Sequence, residues 1–321
     1  MLTALAQLGI GLAVLTLGGY VLVRGATALA LLARVSTTVI GLTVVAMGTS
    51  LPELAVSLDA ARLGSTEMAY GNIVGSNIFN IAVVLAVAAF IRAIPVTRQT
   101  FRVGYPFMLL VTAMALLLGR DGLFDRAEGL FSIVLLGAFT GYLIRHARRI
   151  VPPEEKKEFR AGIRRTSHLN KSGSAWLRNL GLVAVGMALL TIGAQQTVVG
   201  GVHVAQLIGV SERIIGLTIL AIGTSLPELA TVIVAARHEE PGLVIGNVIG
   251  SNIFNILAVL GTTSIVYPVT VAPIAQSFDN WVMLGFSILL LPLMLTRRQV
   301  GKFDATALII LFGLYNWFLL R

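Results

Sequence analysis

Apolar residues fill this chain in long runs, each closed by a short polar stretch. A transmembrane helix needs about 20 predominantly apolar residues. Ten runs answer to that description, roughly at 4–31, 37–62, 67–91, 103–119, 127–146, 176–203, 212–236, 242–267, 279–296 and 303–320. The pattern predicts an all-α polytopic membrane protein. Between the fifth and sixth runs lies the one long polar segment, "RHARRIVPPEEKKEFRAGIRRTSHLNKSGSAW", with two adjacent prolines and little apolar content. It reads as a linker without activity of its own, and it divides the chain into 1–147, 148–174 and 175–321.

The two outer parts are related. Under a shift of 175 residues, "GLTVVAMGTSLPELAVSLDA" (41–60) aligns without a gap on "GLTILAIGTSLPELATVIVA" (216–235), matching at 13 of 20 positions. The same shift places "GNIVGSNIFNIAVV" (71–84) on "GNVIGSNIFNILAV" (246–259), matching at 10 of 14, so the halves are copies. Five spans is an odd number. The second copy therefore enters the membrane from the opposite side, giving the inverted repeat found in many secondary transporters. Two long copies do not make a stacked solenoid.

Composition agrees. Hydrophobic residues make up 56% of the chain and charged residues 12%, with a mean hydropathy of +0.88. Soluble domains carry about 25% charged residues, so this chain lacks the polar surface that water requires. The absence of cysteine excludes disulfides and thiolate metal sites. The histidines form no HExxH pattern. The first charged residue is Arg24, so the opening apolar run lacks a signal peptide's basic start and is expected to remain as a helix.

The net charge of +9 implies no nucleic-acid partner, because its distribution follows the membrane. Loops on the linker's side hold 18 Lys and Arg residues, whereas the other side holds 5. The bias predicts a cytoplasmic linker and both termini outside.

Two repeated motifs put polar groups inside apolar runs. Pro52 and Pro227 lack an N–H, so the carbonyls of Gly48 and Gly223 lose their helical partners. At membrane depth those carbonyls need protein, water or an ion. Ala46, Thr49, Ser50 and Glu53 stand at i, i+3, i+4 and i+7, on one helix face, and Ala221, Thr224, Ser225 and Glu228 repeat them. On the next helix Asn72, Ser76 and Asn80 are spaced by four, as are Asn247, Ser251 and Asn255. An all-oxygen set with two carboxylates suits hard cations such as Na⁺ and Ca²⁺, and suits Mg²⁺ less because it sheds water reluctantly. Each intramembrane carboxylate costs roughly 2.5–3.5 kcal/mol by insertion scales, which a cation or proton offsets. Asn77 and Asn252 point away from their preceding serines and are assigned to packing or capping. Phe79 and Phe254 are assigned to the core, and Asp59, whose repeat partner is Val234, to the outer end of its span.

The two "GTSLPE" and two "GNxxGSNxxN" segments resemble the α1 and α2 repeats of the sodium/calcium exchanger family, in the cation/Ca²⁺ exchanger superfamily. The resemblance covers nearly the whole chain and, with no large soluble domain, looks like the compact prokaryotic type. It implies antiport by alternating access in a prokaryotic inner membrane. It also implies four cation positions in a central diamond, and no cofactor beyond the transported ions. Glu53 and Glu228 would bind Ca²⁺, assisted by Thr49 and Thr224. Ala46, Ser50 and Ser76 would form one flanking Na⁺ site, and Ala221, Ser225 and Ser251 the other. Asn80 and Asn255 match the middle polar pair, and the first and sixth helices would slide as a gate. One departure stands out: some relatives carry Asp in the middle pair, whereas both members here are Asn. The two remaining carboxylates balance one Ca²⁺ or two Na⁺, but not three Na⁺.

The leading expectation is a Na⁺/Ca²⁺ antiporter and not an enzyme. The alternative is H⁺-coupled cation exchange, with Glu53 or Glu228 taking the proton. The H⁺-coupled branch typically carries an acid at the position of Gly75 and Gly250, which favours Na⁺ here. A channel would use oligomeric rings and a filter loop. A hydrolase would need a nucleophile and base beside the Thr–Ser–Glu faces, and no His or Asp stands there. The sequence assigns no oligomeric state.

Overall fold

The computed structural model describes residues 1–146, 173–209 and 221–319. Nine helices among these are long and apolar enough to cross a membrane. They are α1 (Leu2–Ala33), α2 (Thr37–Arg62), α3 (Thr66–Ile91), α4 (Thr100–Asp121), α5 (Arg126–His146), α6 (Gly173–Leu207), α8 (Pro241–Val266), α9 (Ala275–Leu295) and α10 (Lys302–Leu319). Between α6 and α8, α7 is described as Ala221–Gly223 and Leu226–Arg237. The earlier part of the run expected at 212–236 lies outside the described residues, as does nearly all of the expected linker 148–174. The remaining boundaries fall within a few residues of those expected from hydropathy.

The shift of 175 recurs in the structure. α3 and α8 are both 26 residues long and begin at positions 66 and 241. π-helical turns interrupt α3 at Asn80–Val84 and α8 at Asn255–Leu260. They also begin α4 at Thr100–Gly104 and α9 at Ala275–Asp279. A π-turn adds one residue to a helix and turns the following side chains, a device common at functional sites.

Four two-residue strands were not expected from an all-helical pattern: β1 (Ile94–Pro95), β2 (Leu123–Phe124), β3 (Val269–Thr270) and β4 (Gln299–Val300). β1 pairs antiparallel with β4, with Ile94 opposite Val300, and β2 with β3, with Phe124 opposite Val269. Each pair joins one half to the other. Each also holds two interhelix loops on the same face of the bundle, as an even number of crossings between them requires.

α3 and α8 form the centre. In the most apolar 18-residue window, 94% of α8 and 78% of α3 is buried, against 22% of α5 and 11% of α10. The periphery keeps its apolar side chains outward, Leu130, Phe131, Trp317 and Phe318 among them. That is the arrangement expected of a surface that meets lipid.

α1 and α6 lie against each other through a heptad alternation of glycine and larger residues. A Cβ on Gly193 would come within 2.4 Å of Leu15 N, on Gly186 within 2.6 Å of Leu22 N and on Gly18 within 2.7 Å of Leu190 N. Glycine at these places lets the backbones approach, as at other membrane helix interfaces. Further in, α1 meets α7, where Gly19 faces the Ala230 carbonyl.

Candidate functional site

α2 breaks at Ser50 (φ −85°, ψ 4°) and restarts at Leu51, and α7 breaks at Ser225 (φ −91°, ψ 8°) and restarts at Leu226. Pro52 and Pro227 occupy the first turn of the new half-helices. A missing N–H costs nothing there, and the fixed φ suits the position. Glu53 and Glu228 also stand in that first turn. The positive end of the helix dipole favours a carboxylate at such a place. The sequence thus cuts each helix at mid-membrane and seats one acid at the cut.

The two cuts meet. Ser225 Oγ donates to Glu53 Oε1 at 3.2 Å, and Ser50 Oγ donates to Glu228 Oε1 at 3.4 Å. These bonds are mates under the repeat. A second pair of mates joins Thr49 Oγ1 to Asn247 Oδ1 at 3.2 Å and Thr224 Oγ1 to Asn72 Oδ1 at 3.3 Å. Thr49 also lies 3.3 Å from Ser251 Oγ, and Ser76 Oγ lies 3.2 Å from Ser225 Oγ. All of these bonds cross between the halves.

Both carboxylates are 0% exposed, and they are the only charged side chains among the buried described residues. Each keeps an oxygen, Oε2, with no hydrogen-bond partner among the described residues. Asn80 Oδ1 and Asn255 Oδ1 are buried without a partner in the same way. Buried polar atoms are ordinarily paired. Four orphan oxygens on α2, α3, α7 and α8, two of them carboxyl oxygens, form a donor set that fits a hard cation.

Thr49, Ser50, Ser76, Ser225, Ser251, Asn80 and Asn255 are buried, and Thr224 is half-buried. Ala46 is buried, and its carbonyl accepts from Ser50 N at 3.0 Å and from Thr49 Oγ1 at 3.4 Å. Ala221 begins the described part of α7. Phe79 and Phe254 are buried as expected. Asp59 is exposed and pairs with Arg62 at 3.2 Å.

Asn72 and Asn247, read in the sequence among the amide oxygens of the set but given no ion of their own, accept from Thr224 and Thr49, whereas Ser57 went unassigned. Ser57 accepts from Asn72 Nδ2 at 3.1 Å and is 0% exposed. Its signal was the i+4 spacing from Glu53, but its repeat counterpart is Val232. Asn77, assigned to packing, packs and also does more. Its Oδ1 accepts from Asn255 Nδ2 at 3.1 Å, and its Nδ2 donates to the Asn252 carbonyl at 3.4 Å. It thereby orients the middle pair. Asn252 donates to the sulfur of Met108.

The family model for sodium/calcium exchanger protein matches residues 3–145 and 178–321. The chain is 37% identical to the putative antiporter CaxA of Alkalimonas amylolytica, over 99% of each chain. It is 34% identical to the inner membrane protein YrbG of Escherichia coli, over 99% of this chain and 96% of that one. It is 29% identical to the sodium/calcium exchanger MaX1 of Methanosarcina acetivorans, over 94% of each. A solved structure of the sodium-calcium exchanger NCX_Mj, soaked with zero Na⁺ and Ca²⁺, superposes with a TM-score of 0.84, at 28% identity over 98% of each chain.

Proposed function

Because the chain belongs to the sodium/calcium exchanger family, we propose that it is a secondary antiporter exchanging Na⁺ for Ca²⁺ across the membrane. The observation that carries this reading is the pair of buried carboxylates, one from each inverted half, each with an oxygen lacking a partner. Named relatives described as an antiporter and as sodium/calcium exchangers support it. Glu53 and Glu228 hold Ca²⁺ with Thr49 and Thr224. Ser50, Ser76 and the Ala46 carbonyl serve Na⁺ on one flank, and Ser225, Ser251 and Ala221 on the other, with Asn80 and Asn255 between.

The site fits a cycle in which one cation set replaces the other before the barrier moves. Its two ends already differ in exposure. Thr224 and Asn72 are half-buried, while their mates Thr49 and Asn247 are fully buried. Alternating access exchanges these environments, as an inverted repeat permits. α1 and α6, locked by their glycine alternation, travel as one body over the two breaks. Gly48 faces Met187, and Gly223 faces Val198, both on α6. We place the repeats at 1–147 and 175–321, the linker 148–174 in the cytoplasm, and both termini outside.

The test is ⁴⁵Ca²⁺ uptake by proteoliposomes loaded with Na⁺, against matched vesicles given only a pH gradient. Uptake driven by Na⁺ is the expected result. Uptake driven by the pH gradient and not by Na⁺ would replace this reading with H⁺-coupled exchange.

A further inference from the structure

We infer that Asn77 and Asn252 are positioning residues that hold the middle asparagines in turn. Asn77 holds Asn255 while the Asn72 end of the site is open, and Asn252 holds Asn80 while the Asn247 end is open. The inference rests on the antiport reading, because it ties two access states to two hydrogen bonds.

The four asparagines are mates under the shift of 175, Asn77 with Asn252 and Asn80 with Asn255. Two methionines, Met108 and Met283, are mates as well. Asn77 Nδ2 donates to the sulfur of Met283 at 3.6 Å, and Asn252 Nδ2 donates to the sulfur of Met108 at 3.7 Å. All of these side chains are buried. A thioether sulfur accepts and cannot donate, so it fixes which way each amide faces. Both amides are left with Oδ1 for the middle pair.

From there the halves differ. Asn255 Nδ2 donates to Asn77 Oδ1 at 3.1 Å. The mate of this bond would run from Asn80 Nδ2 to Asn252 Oδ1. Both atoms are buried, and neither has a partner among the described residues. One is a donor and the other an acceptor, and the repeat assigns each to the other. A cation accounts for the lone Oδ1 of Asn80 but not for its Nδ2, which carries hydrogens. Buried polar atoms are ordinarily paired. A conformation that brings these two together removes both orphans at once.

The exposure of the two central helices has the same asymmetry. On α3, Gly71 is exposed and Asn72 and Gly75 are half-buried, whereas their mates Gly246, Asn247 and Gly250 on α8 are buried. An inverted repeat reaches its second access state by exchanging the environments of its halves. That exchange carries the made bond to Asn80 and Asn252 and releases Asn255 from Asn77. The orphan pair of one state is the bonded pair of the other. In each state one middle asparagine is held and its mate is free to turn.

Hydrogen–deuterium exchange reads the two states. The full chain in lipid nanodiscs would be labelled without Ca²⁺, and the exchange rate of residues 71–75 divided by that of 246–250. Asn77→Leu and Asn252→Leu keep most of the volume and remove both amide atoms. A hydrogen bond of ordinary strength is worth about fivefold in an equilibrium. Asn77→Leu is therefore expected to lower the ratio about fivefold, and Asn252→Leu to raise it by about the same factor. A residue that only fills space would move both ratios in one direction or leave both unmoved, and either result would overturn the alternation. Where a leucine variant lacks a cooperative unfolding transition, alanine at that position removes the same atoms with less bulk. Na⁺-driven ⁴⁵Ca²⁺ uptake by the native protein would be measured alongside. Uptake without opposite shifts would overturn the alternation and leave the antiport reading standing. Absence of uptake would overturn the antiport reading, while the direction of the two shifts still decides the alternation.

Discussion

Ser225 of α7 donates a hydrogen bond to Glu53 of α2 at 3.2 Å, so a residue of one half holds the acid of the other. The reciprocal bond, from Ser50 to Glu228, is 3.4 Å long. Each acid is therefore organised in part by the opposite repeat. The site exists only where the two halves meet, and a displacement of one half against the other changes the partners of both carboxylates together.

Removing either acid should remove the cation. Glu53→Gln and Glu228→Gln keep the shape and lose one anionic oxygen. A charge-assisted contact is worth about 1.5–3 kcal/mol, so the binding loss is one to two orders of magnitude at roughly 1.4 kcal/mol per tenfold. Thermal unfolding in detergent checks it. At about a hundred times the dissociation constant, Ca²⁺ stabilises the native protein by roughly 2.7 kcal/mol. At the same Ca²⁺ concentration that shift should fall to about 0.4–1.4 kcal/mol in each variant, while the protein without Ca²⁺ still unfolds cooperatively. A full Ca²⁺ shift in either variant would remove that acid from the site.

Ser57→Val copies into α2 the residue that α7 carries at the equivalent position, Val232. It leaves Asn72 Nδ2 with the Glu53 carbonyl at 3.5 Å as its remaining described partner. A lost hydrogen bond of this kind costs about 1 kcal/mol. Apparent Ca²⁺ affinity should weaken about fivefold, and Ser57→Thr, which keeps the hydroxyl, should restore it. Equal affinities for the Val and Thr variants would mean that Ser57 only fills space.

The α1–α6 contact should punish a single methyl group. Gly193→Ala drives a Cβ to 2.4 Å from the backbone nitrogen of Leu15. Overpacking of this kind typically costs about 1–3 kcal/mol. Gly9→Ala, on an exposed stretch of α1 where a Cβ meets nothing within 4 Å, should be neutral or gain up to about 1 kcal/mol from helix propensity. The pair would be compared by thermal unfolding in detergent, and equal midpoints would mean that the helices are not in close backbone contact.

Legibility in the sequence followed repetition and range. The spans were legible because lipid demands about 20 apolar residues from each. Glu53, Ser50 and Asn80 were legible because a copy stood 175 residues later. Ser57 has no polar copy, and its partner Asn72 lies on the next helix, so spacing alone gave it no role. Asn77 was assigned to packing because its direction on α3 leads away from Ser76. What lies in that direction is Asn255 of the other half, which only the tertiary contact reveals. The strands escaped for a related reason: two residues carry no period, and each pairs with a partner from the opposite repeat.

Asn255→Asp tests the charge balance directly. Asn255 lies on α8 at the start of its π-turn, is 0% exposed, and is held by Asn77. An aspartate there would add a third negative charge to a site whose two acids are already buried. At an effective dielectric of about 20, one unit charge at about 4 Å is worth roughly 4 kcal/mol. That is enough to change which cation set the site prefers. Three carboxylates with one Ca²⁺ stand at −1 and with three Na⁺ at zero, so the variant should bind Na⁺ in larger number and carry a different net charge as it exchanges. The lost amide also leaves Asn77 Oδ1 without its donor, which costs about 1–3 kcal/mol of stability. A folded variant is therefore to be established first by its unfolding transition. Proteoliposomes clamped at two membrane potentials then give the answer: the dependence of the Ca²⁺ ratio on potential should differ between the native protein and the variant. The same dependence in the native protein and a folded Asn255→Asp protein would place position 255 outside the ion site and return the middle pair to a structural role.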